Sequence, residues 1–249
     1  MRRIIIPLAL AMLVFSTPLL HAAELIVSAG ASLTEAFEDL KPLFEHAHPG
    51  VTVRYNFAAT GPLLAQLAQG APVDVFASAD QKSMDEAVAK NLVDSGSRVN
   101  FARNELVIAT PVGGKAVASL ADLSRPDVQR IGIGNPDSVP VGRYSKAALE
   151  KAGLWEPLNA KLIMGESVRQ VLDYIARGEV DAGFVYATDA KKAGDKVAVT
   201  AVIPLDKPVS YPLAVTSGTK SKELARAFVE LVTGPQGQKA LAARGFVSP

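Results

Sequence analysis

The stretch that decides the fold runs from residue 24 to residue 37 and reads "ELIVSAGASLTEAF". Its beginning, "ELIV", is a short apolar run typical of a buried β-strand. Only small residues follow, and Ser32 and Glu35 then stand three positions apart, which is the capping-box spacing that begins an α-helix. The stretch therefore predicts one strand followed at once by one helix, the unit from which α/β folds are built.

The same strand-to-helix unit recurs along the chain. In the first half, the runs "VTVRYNF" and "VDVFAS" precede helical segments at 60–70 and 80–90. In the second half, "RIGIGNP", "AKLIM" and "VDAGFVY" precede helical segments at 141–152, 167–177 and 187–193, and two closing helices are predicted at 221–232 and 236–244. Repeated units of this kind predict parallel sheets covered by helices.

The two series of units follow each other without a linker rich in Ser, Gly or Pro. The apolar runs "ELVIAT" and "PLAVT" are the places where the chain is expected to cross between them. We predict an α/β fold of two lobes, with two mixed, mostly parallel sheets flanked by helices and a hinge of two crossing strands. Lobe 1 is predicted to hold residues 24–107 plus 213–249, and lobe 2 residues 108–212.

Residues 1–23 have the layout of a secretory signal peptide. Arg2 and Arg3 precede an uncharged apolar run from residue 4 to residue 20, and small residues follow it. An uncleaved membrane anchor is the alternative, because the run is close to the length that spans a bilayer. The two prolines within the run and the small residues after it favour cleavage. We therefore expect an exported, periplasmic protein.

The composition excludes several classes of function. The chain has 26 basic and 25 acidic residues, so its net charge is close to zero and does not favour binding to nucleic acid. It has no cysteine and only three histidines, and neither G-x-S-x-G nor another nucleophile–base arrangement can be assembled. His46 and His48 are separated by one residue, which places them on different faces of a helix and argues against a metal-cation site. We expect no catalytic residue and no cofactor.

The turns between strands and helices share one property: each offers a hydroxyl, free backbone N–H groups, or both. Ser32 and Thr60 supply hydroxyls, Val141 and Val168 fall in the first turns of helices, and Tyr186 ends a strand. First-turn N–H groups have no intrahelical acceptor and carry a partial positive charge, so they bind oxyanions without a charged side chain. These five residues are predicted to form a ligand site between the lobes.

A site of donors alone selects among anions. Hydrogen phosphate carries a proton that needs an acceptor, whereas a fully deprotonated tetrahedral dianion needs donors only. The pattern therefore favours dianions of the sulfate or molybdate kind. This interpretation requires that Glu35, Asp137 and Glu166, which are close in sequence, point away from the site or cap local N–H groups.

The motifs "VSAGASLTEAFEDL", "VPVGRY", "ESVRQVL" and "AGFVYATDA" together resemble the periplasmic molybdate-binding proteins of ABC importers, and the likeness covers essentially the whole mature chain. The resemblance implies a type II periplasmic binding protein that closes by a hinge and delivers its ligand to a membrane permease. It implies a monomer whose ligand is molybdate or tungstate, held as an oxyanion at Ser32, Thr60, Val141, Val168 and Tyr186.

Two positions depart from that family. Val141 stands where the family often has alanine, although only its amide is needed. The turn "FAATGP" stands where a serine-rich turn is expected, although Thr60 keeps a hydroxyl. Two alternatives stay open: a binding protein for sulfate or another small anion, and an enzyme on the same scaffold.

Overall fold

The structure is a computed structural model and describes residues 23–249. The predicted signal peptide therefore lies outside the described residues, apart from Ala23, which begins the first strand. Within residues 23–249, no helix has the length and apolar character needed to cross a membrane.

The strands are β1 (Ala23–Gly30), β2 (Val51–Ala58), β3 (Val75–Ala77), β4 (Val99–Asn104), β5 (Leu106–Pro111), β6 (Ile131–Gly134), β7 (Leu162–Gly165), β8 (Ala182–Tyr186), β9 (Val197–Ile203) and β10 (Val209–Val215). The α-helices are α1 (Thr34–Ala47), α2 (Thr60–Ala68), α3 (Gln81–Ala89), α4 (Pro140–Lys151), α5 (Trp155–Leu158), α6 (Val168–Ala176), α7 (Ala187–Ala193), α8 (Lys222–Thr233) and α9 (Pro235–Ala243).

The strands form two sheets with the same topology. The first has the order β2-β1-β3-β10-β4 and the second the order β7-β6-β8-β5-β9. In each sheet one strand, β10 or β5, runs antiparallel to both of its neighbours, and the remaining pairs are parallel. The prediction of a two-lobed α/β fold with mixed, mostly parallel sheets is confirmed. We call the lobe of the first sheet lobe 1 and that of the second lobe 2.

The chain passes between the sheets at two places. Strand β4 ends at Asn104 in the first sheet, and Leu106 already pairs with Tyr186 and Ile203 in the second. The return lies in residues 204–208, because Val209 pairs with Asn104. The sequence-based boundaries at residues 107 and 212 stay a prediction of lobe extent. The chain passes from one sheet to the other slightly before each of these boundaries. The apolar runs used to predict them carry no sign of which sheet they will join.

The C-terminal helices return to lobe 1, as the two-crossing arrangement predicted. Phe228 of α8 packs edge-on against Phe37 and Phe44 of α1, with ring centroids 5.7 and 5.5 Å apart. All three rings are fully or almost fully buried, and such pairs prefer this tilted geometry. The aromatic contacts hold α1 in place, and α1 follows the turn that carries Ser32.

Candidate functional site

Turns from both lobes meet at a small cavity. All five residues predicted from the sequence line it, together with small and apolar neighbours. The lining residues are Gly30, Ala31, Ser32, Thr60, Ala79, Val139, Pro140, Val141, Val168 and Tyr186. No lysine, arginine or carboxylate is among them, so the polar side-chain groups of the cavity wall are hydroxyls.

Lobe 1 contributes two hydroxyls. Thr60 is the first residue of α2 and is 0% exposed, and its Oγ1 accepts the Ala79 N–H at 3.1 Å. Because a backbone N–H only donates, the hydroxyl proton of Thr60 stays available for another acceptor. Ser32 is also buried, and its Oγ lies 3.0 Å from the Tyr211 hydroxyl.

The capping-box interpretation of Ser32 and Glu35 is wrong. Ser32 lies in a short 3₁₀ turn, Ala31–Leu33, and α1 begins only at Thr34, so the serine makes no side-chain cap. The Glu35 carboxylate instead pairs with Arg169 of lobe 2, at 2.5 and 3.1 Å. A local pattern in the sequence could not indicate this competing ion pair, because its partner is remote in the chain.

Lobe 2 contributes two helix N-termini. Val141 is the second residue of α4, directly after Pro140, and Val168 is the first residue of α6. Ser167 caps α6, since its hydroxyl accepts the Gln170 N–H at 3.2 Å. The N–H groups of such first turns have no intrahelical acceptor. Both valine side chains are buried, so the amides are the groups that these residues can offer to a ligand.

Tyr186 ends β8 and brings a buried hydroxyl to the site. It is 1% exposed, and its hydroxyl has no hydrogen-bond partner among residues 23–249. Burial raises the pKa of this hydroxyl well above its usual value, so the group keeps its proton and remains a donor. An unpaired buried hydroxyl costs about 1–3 kcal/mol. Because Tyr186 lines the cavity, its hydroxyl is a candidate donor to a ligand there.

The three nearby carboxylates do not line the cavity. Asp137 and Glu166 are exposed, and Glu35 is held by Arg169. A dianion in the cavity would therefore not meet a carboxylate on its walls. Within residues 23–249, no group of three or more His, Cys, Asp or Glu side chains is arranged to hold a metal cation.

Direct contacts join the two lobes beside the cavity. Arg143 of α4 donates to the Asp80 carboxylate at 2.7 Å and to the Ser83 hydroxyl at 3.0 Å. The Gly61 N–H donates to the Ser138 carbonyl at 3.0 Å. The lobes are therefore closed on each other. Arg169 of lobe 2 pairs with Glu35 of lobe 1 in the same way. Both arginines are ion-paired between the lobes.

Arg169 also approaches a second carboxylate, Asp189, with its Nε 2.9 Å from Oδ1. Asp189 is fully buried, and neither of its oxygens has a partner with hydrogen-bond geometry among the described residues. Burial raises the pKa of Asp189 to about 6, and the Arg169 charge opposes that rise. Arg169 is thus occupied by Glu35 and Asp189 and does not reach the cavity as a ligand.

A larger groove of about 220 Å³ is also lined in part by Ser32. Its lining mixes the charges of Glu35, Lys191, Lys192 and Arg244. Arg244 is paired with Asp39, and Lys191 donates to a backbone carbonyl. Because this groove presents a carboxylate and already-paired cations, the small cavity is the better candidate for a dianion.

Two α/β lobes, joined by two crossings and closed on a cavity of donors, define the class: a two-lobed solute-binding protein. The chain matches the family of bacterial extracellular solute-binding proteins over residues 25–247, and it belongs to that family.

Relatives and solved structures agree with this assignment. The chain is 37% identical to the molybdate-binding protein ModA of Escherichia coli strain K12, over 96% of this chain and 94% of the relative. It is 37% identical to ModA of Mycobacterium tuberculosis strain H37Rv, over 93% and 87%. It superposes on the periplasmic molybdate-binding protein of Azotobacter vinelandii with a TM-score of 0.81 and 27% identity, covering 90% of this chain and 99% of that one. The predicted family resemblance is confirmed.

Proposed function

We propose that this protein binds molybdate, and also tungstate, outside the cytoplasmic membrane and delivers the anion to the permease of an ABC importer. In this proposal the mature chain is a periplasmic monomer that is exported and then cleaved from its signal peptide. It needs neither a cofactor nor a metal cation. Relatives named molybdate-binding proteins over nearly the whole chain support the ligand. The observation that carries the proposal is the unpaired Tyr186 hydroxyl in a cavity of donors.

Five donors would surround the anion. They are the hydroxyls of Ser32, Thr60 and Tyr186 and the amides of Val141 and Val168, all of which line the same cavity. Hydrogen bonds to a charged group are stronger than neutral ones, and the helix N-termini add their partial positive charge. Such a set can hold a dianion without a counter-charge, and it suits an oxyanion that has no proton of its own.

Binding is coupled to closure, because the donors come from both lobes. Ser32 and Thr60 belong to lobe 1, whereas Val141, Val168 and Tyr186 belong to lobe 2. Only the closed arrangement brings all five to one cavity. Closure also removes water, and hydrogen bonds in a medium of low dielectric constant are stronger than in water.

The enzyme alternative finds no support in the cavity. Its hydroxyls have no histidine, lysine or carboxylate beside them on the cavity wall to act as a general base. Incubation with phosphate or sulfate esters should therefore give no turnover, and hydrolysis of either would favour an enzyme.

Calorimetric titration of the mature chain with molybdate, tungstate, sulfate and phosphate tests the function. Molybdate and tungstate are expected to bind with one site per chain and similar affinities, because their charge and size are alike. Phosphate is expected to bind much more weakly, because the proton of hydrogen phosphate would find no acceptor. Phosphate binding as tight as molybdate binding, or no molybdate binding, would contradict the proposal. Sulfate binding tighter than molybdate would favour the sulfate alternative.

The inter-lobe ion pair of Arg143 gives a smaller, separate prediction. Arg143→Lys keeps the positive charge, but lysine lacks the planar guanidinium group with which Arg143 donates to both Asp80 and Ser83. We expect molybdate to dissociate several-fold faster, a loss on the order of 1 kcal/mol in the closed state. Stopped-flow dissociation measures this rate.

Arg177→Lys is the matched control, because Arg177 pairs with Glu179 within lobe 2 and is mostly exposed. It should leave the dissociation rate unchanged. An Arg143→Lys variant that releases molybdate as slowly as the parent would show that this ion pair does not hold the bound form closed.

A further inference from the structure

Asn104 ends β4 beside the first crossing between the lobes, and its side-chain amide is fully engaged. The Oδ1 atom accepts the Glu105 N–H at 2.9 Å, which identifies the oxygen and fixes the orientation of the amide. The Nδ2 atom then donates one hydrogen to Thr188 Oγ1 at 2.8 Å and the other to Tyr211 Oη at 3.3 Å. Asn104 therefore presents only donors to Tyr211.

That fact sets the direction of the next hydrogen bond. Tyr211 accepts from Asn104, so its own proton is free for the Ser32 Oγ, 3.0 Å away. Tyr211 is 0% exposed, and burial raises the pKa of its hydroxyl well above the usual value, so the proton is retained. Ser32 consequently accepts from Tyr211, and its remaining proton is left for an acceptor in the cavity.

We propose that Asn104 and Tyr211 are positioning residues that hold the Ser32 hydroxyl as an obligatory donor to the bound anion. This inference rests on the proposed function, and it explains how a hydroxyl that could either donate or accept becomes selective. With Tyr211 donating to one of its two lone pairs, the Ser32 oxygen is a poorer acceptor for the proton of hydrogen phosphate, and its own proton is directed to the anion. Thr60 is arranged in the same way, because the Ala79 N–H occupies one of its acceptor positions.

The same hydrogen bonds connect the site to the hinge. Asn104 belongs to lobe 1, whereas Thr188 lies on α7 of lobe 2. Tyr211 lies on β10, the strand that follows the second crossing. The bond between Asn104 and Thr188 therefore spans the two lobes next to the first crossing.

A double-mutant cycle tests the inference, with molybdate affinity measured by calorimetry. Tyr211→Phe and Ser32→Ala are each expected to weaken binding roughly tenfold, the low end for one hydrogen bond to a charged group. If Tyr211 acts through Ser32, the double variant should bind no more weakly than Ser32→Ala alone. Losses that multiply would overturn the inference. A parent protein that fails to bind molybdate would instead refute the proposed function.

Selectivity provides a second readout that a purely structural role would not move. In Tyr211→Phe the Ser32 oxygen is free to accept, so the ratio of molybdate to hydrogen phosphate affinity should fall below that of the parent. An unchanged ratio would count against the inference. Thermal melting controls for folding, since phenylalanine keeps the ring contacts that Tyr211 makes with Phe101 and Phe246.

Asn104→Asp reverses the hydrogen bonds without changing side-chain size. A carboxylate only accepts, so Tyr211 would donate to it, and Ser32 would donate to Tyr211 instead of to the anion. Molybdate affinity should fall at least as far as in Ser32→Ala. In a Tyr211→Phe background the same change should have a much smaller effect. An equal loss in both backgrounds would indicate charge repulsion alone and overturn this directional mechanism.

Discussion

Gly61→Ala is expected to lower molybdate affinity roughly a hundredfold, because a new methyl group would overlap the opposite lobe and cost about 3 kcal/mol in the closed state. A Cβ atom at Gly61 would lie 2.5 Å from the Ser138 carbonyl oxygen and 2.9 Å from the Ser138 Cα. Both are backbone atoms of lobe 2, so no side chain can rotate away. The hydrogen bond from the Gly61 N–H to that carbonyl would also be stretched.

The free protein should tolerate the same change. Gly61 is the second residue of α2, and alanine is the better helix former by about 1 kcal/mol. We therefore expect a ligand-free melting temperature that is unchanged or slightly higher, together with the large loss of affinity. Gly218→Ala is the matched control, because a Cβ there meets no atom within 4 Å. An unchanged affinity in Gly61→Ala would show that the bound form does not use this contact between the lobes.

Tyr186→Phe is expected to weaken molybdate binding roughly ten- to hundredfold, the value of one hydrogen bond to a charged group, about 1.5–3 kcal/mol. The hydroxyl is buried and has no partner within residues 23–249. Its removal therefore breaks no hydrogen bond of the ligand-free protein as the structure describes it. The free energy of unfolding without ligand should stay the same or rise by about 1 kcal/mol. Calorimetry and denaturant unfolding measure the two effects separately.

Tyr174→Phe supplies the control for this variant. Tyr174 lies on α6 of lobe 2 and does not line the cavity. Its replacement should leave molybdate affinity unchanged. If Tyr186→Phe bound molybdate as well as the parent, the unpaired hydroxyl would not be a ligand donor. The proposed function would then lose the observation on which it depends.

The positions of the turns were readable in the sequence because strands and helices have different apolar periods. Helix α7 was predicted at residues 187–193, as observed, and α2, α4 and α6 were each predicted to within two residues at both ends. Strand β4 was not predicted, because its "VNFARN" run mixes apolar and polar residues. All five predicted site residues line one cavity, although their role as ligands stays a prediction.

The partners of individual side chains were not readable. The pairing of Arg143 with Asp80 joins residues 63 positions apart, and that of Arg169 with Glu35 joins residues 134 positions apart. The hydrogen bond between Asn104 and Tyr211 was also not predicted, because an asparagine and a tyrosine within strands carry no local sign that they contact each other. Local rules such as the capping box predict only contacts between near neighbours. In the turn that carries Ser32, Glu35 instead pairs with the remote Arg169.

The two α/β lobes, the order of their elements and the kind of group at each turn can be predicted from the amino-acid sequence alone. Hydrophobic periodicity and helix-start residues act over a few positions, so they can be recognised in a linear chain. Which turns meet, which carboxylates are neutralised and which way each hydroxyl proton points became clear from the three-dimensional arrangement. Those properties depend on atoms that closure of the lobes brings within 3 Å or so of each other, and no short stretch of sequence contains both members of such a pair.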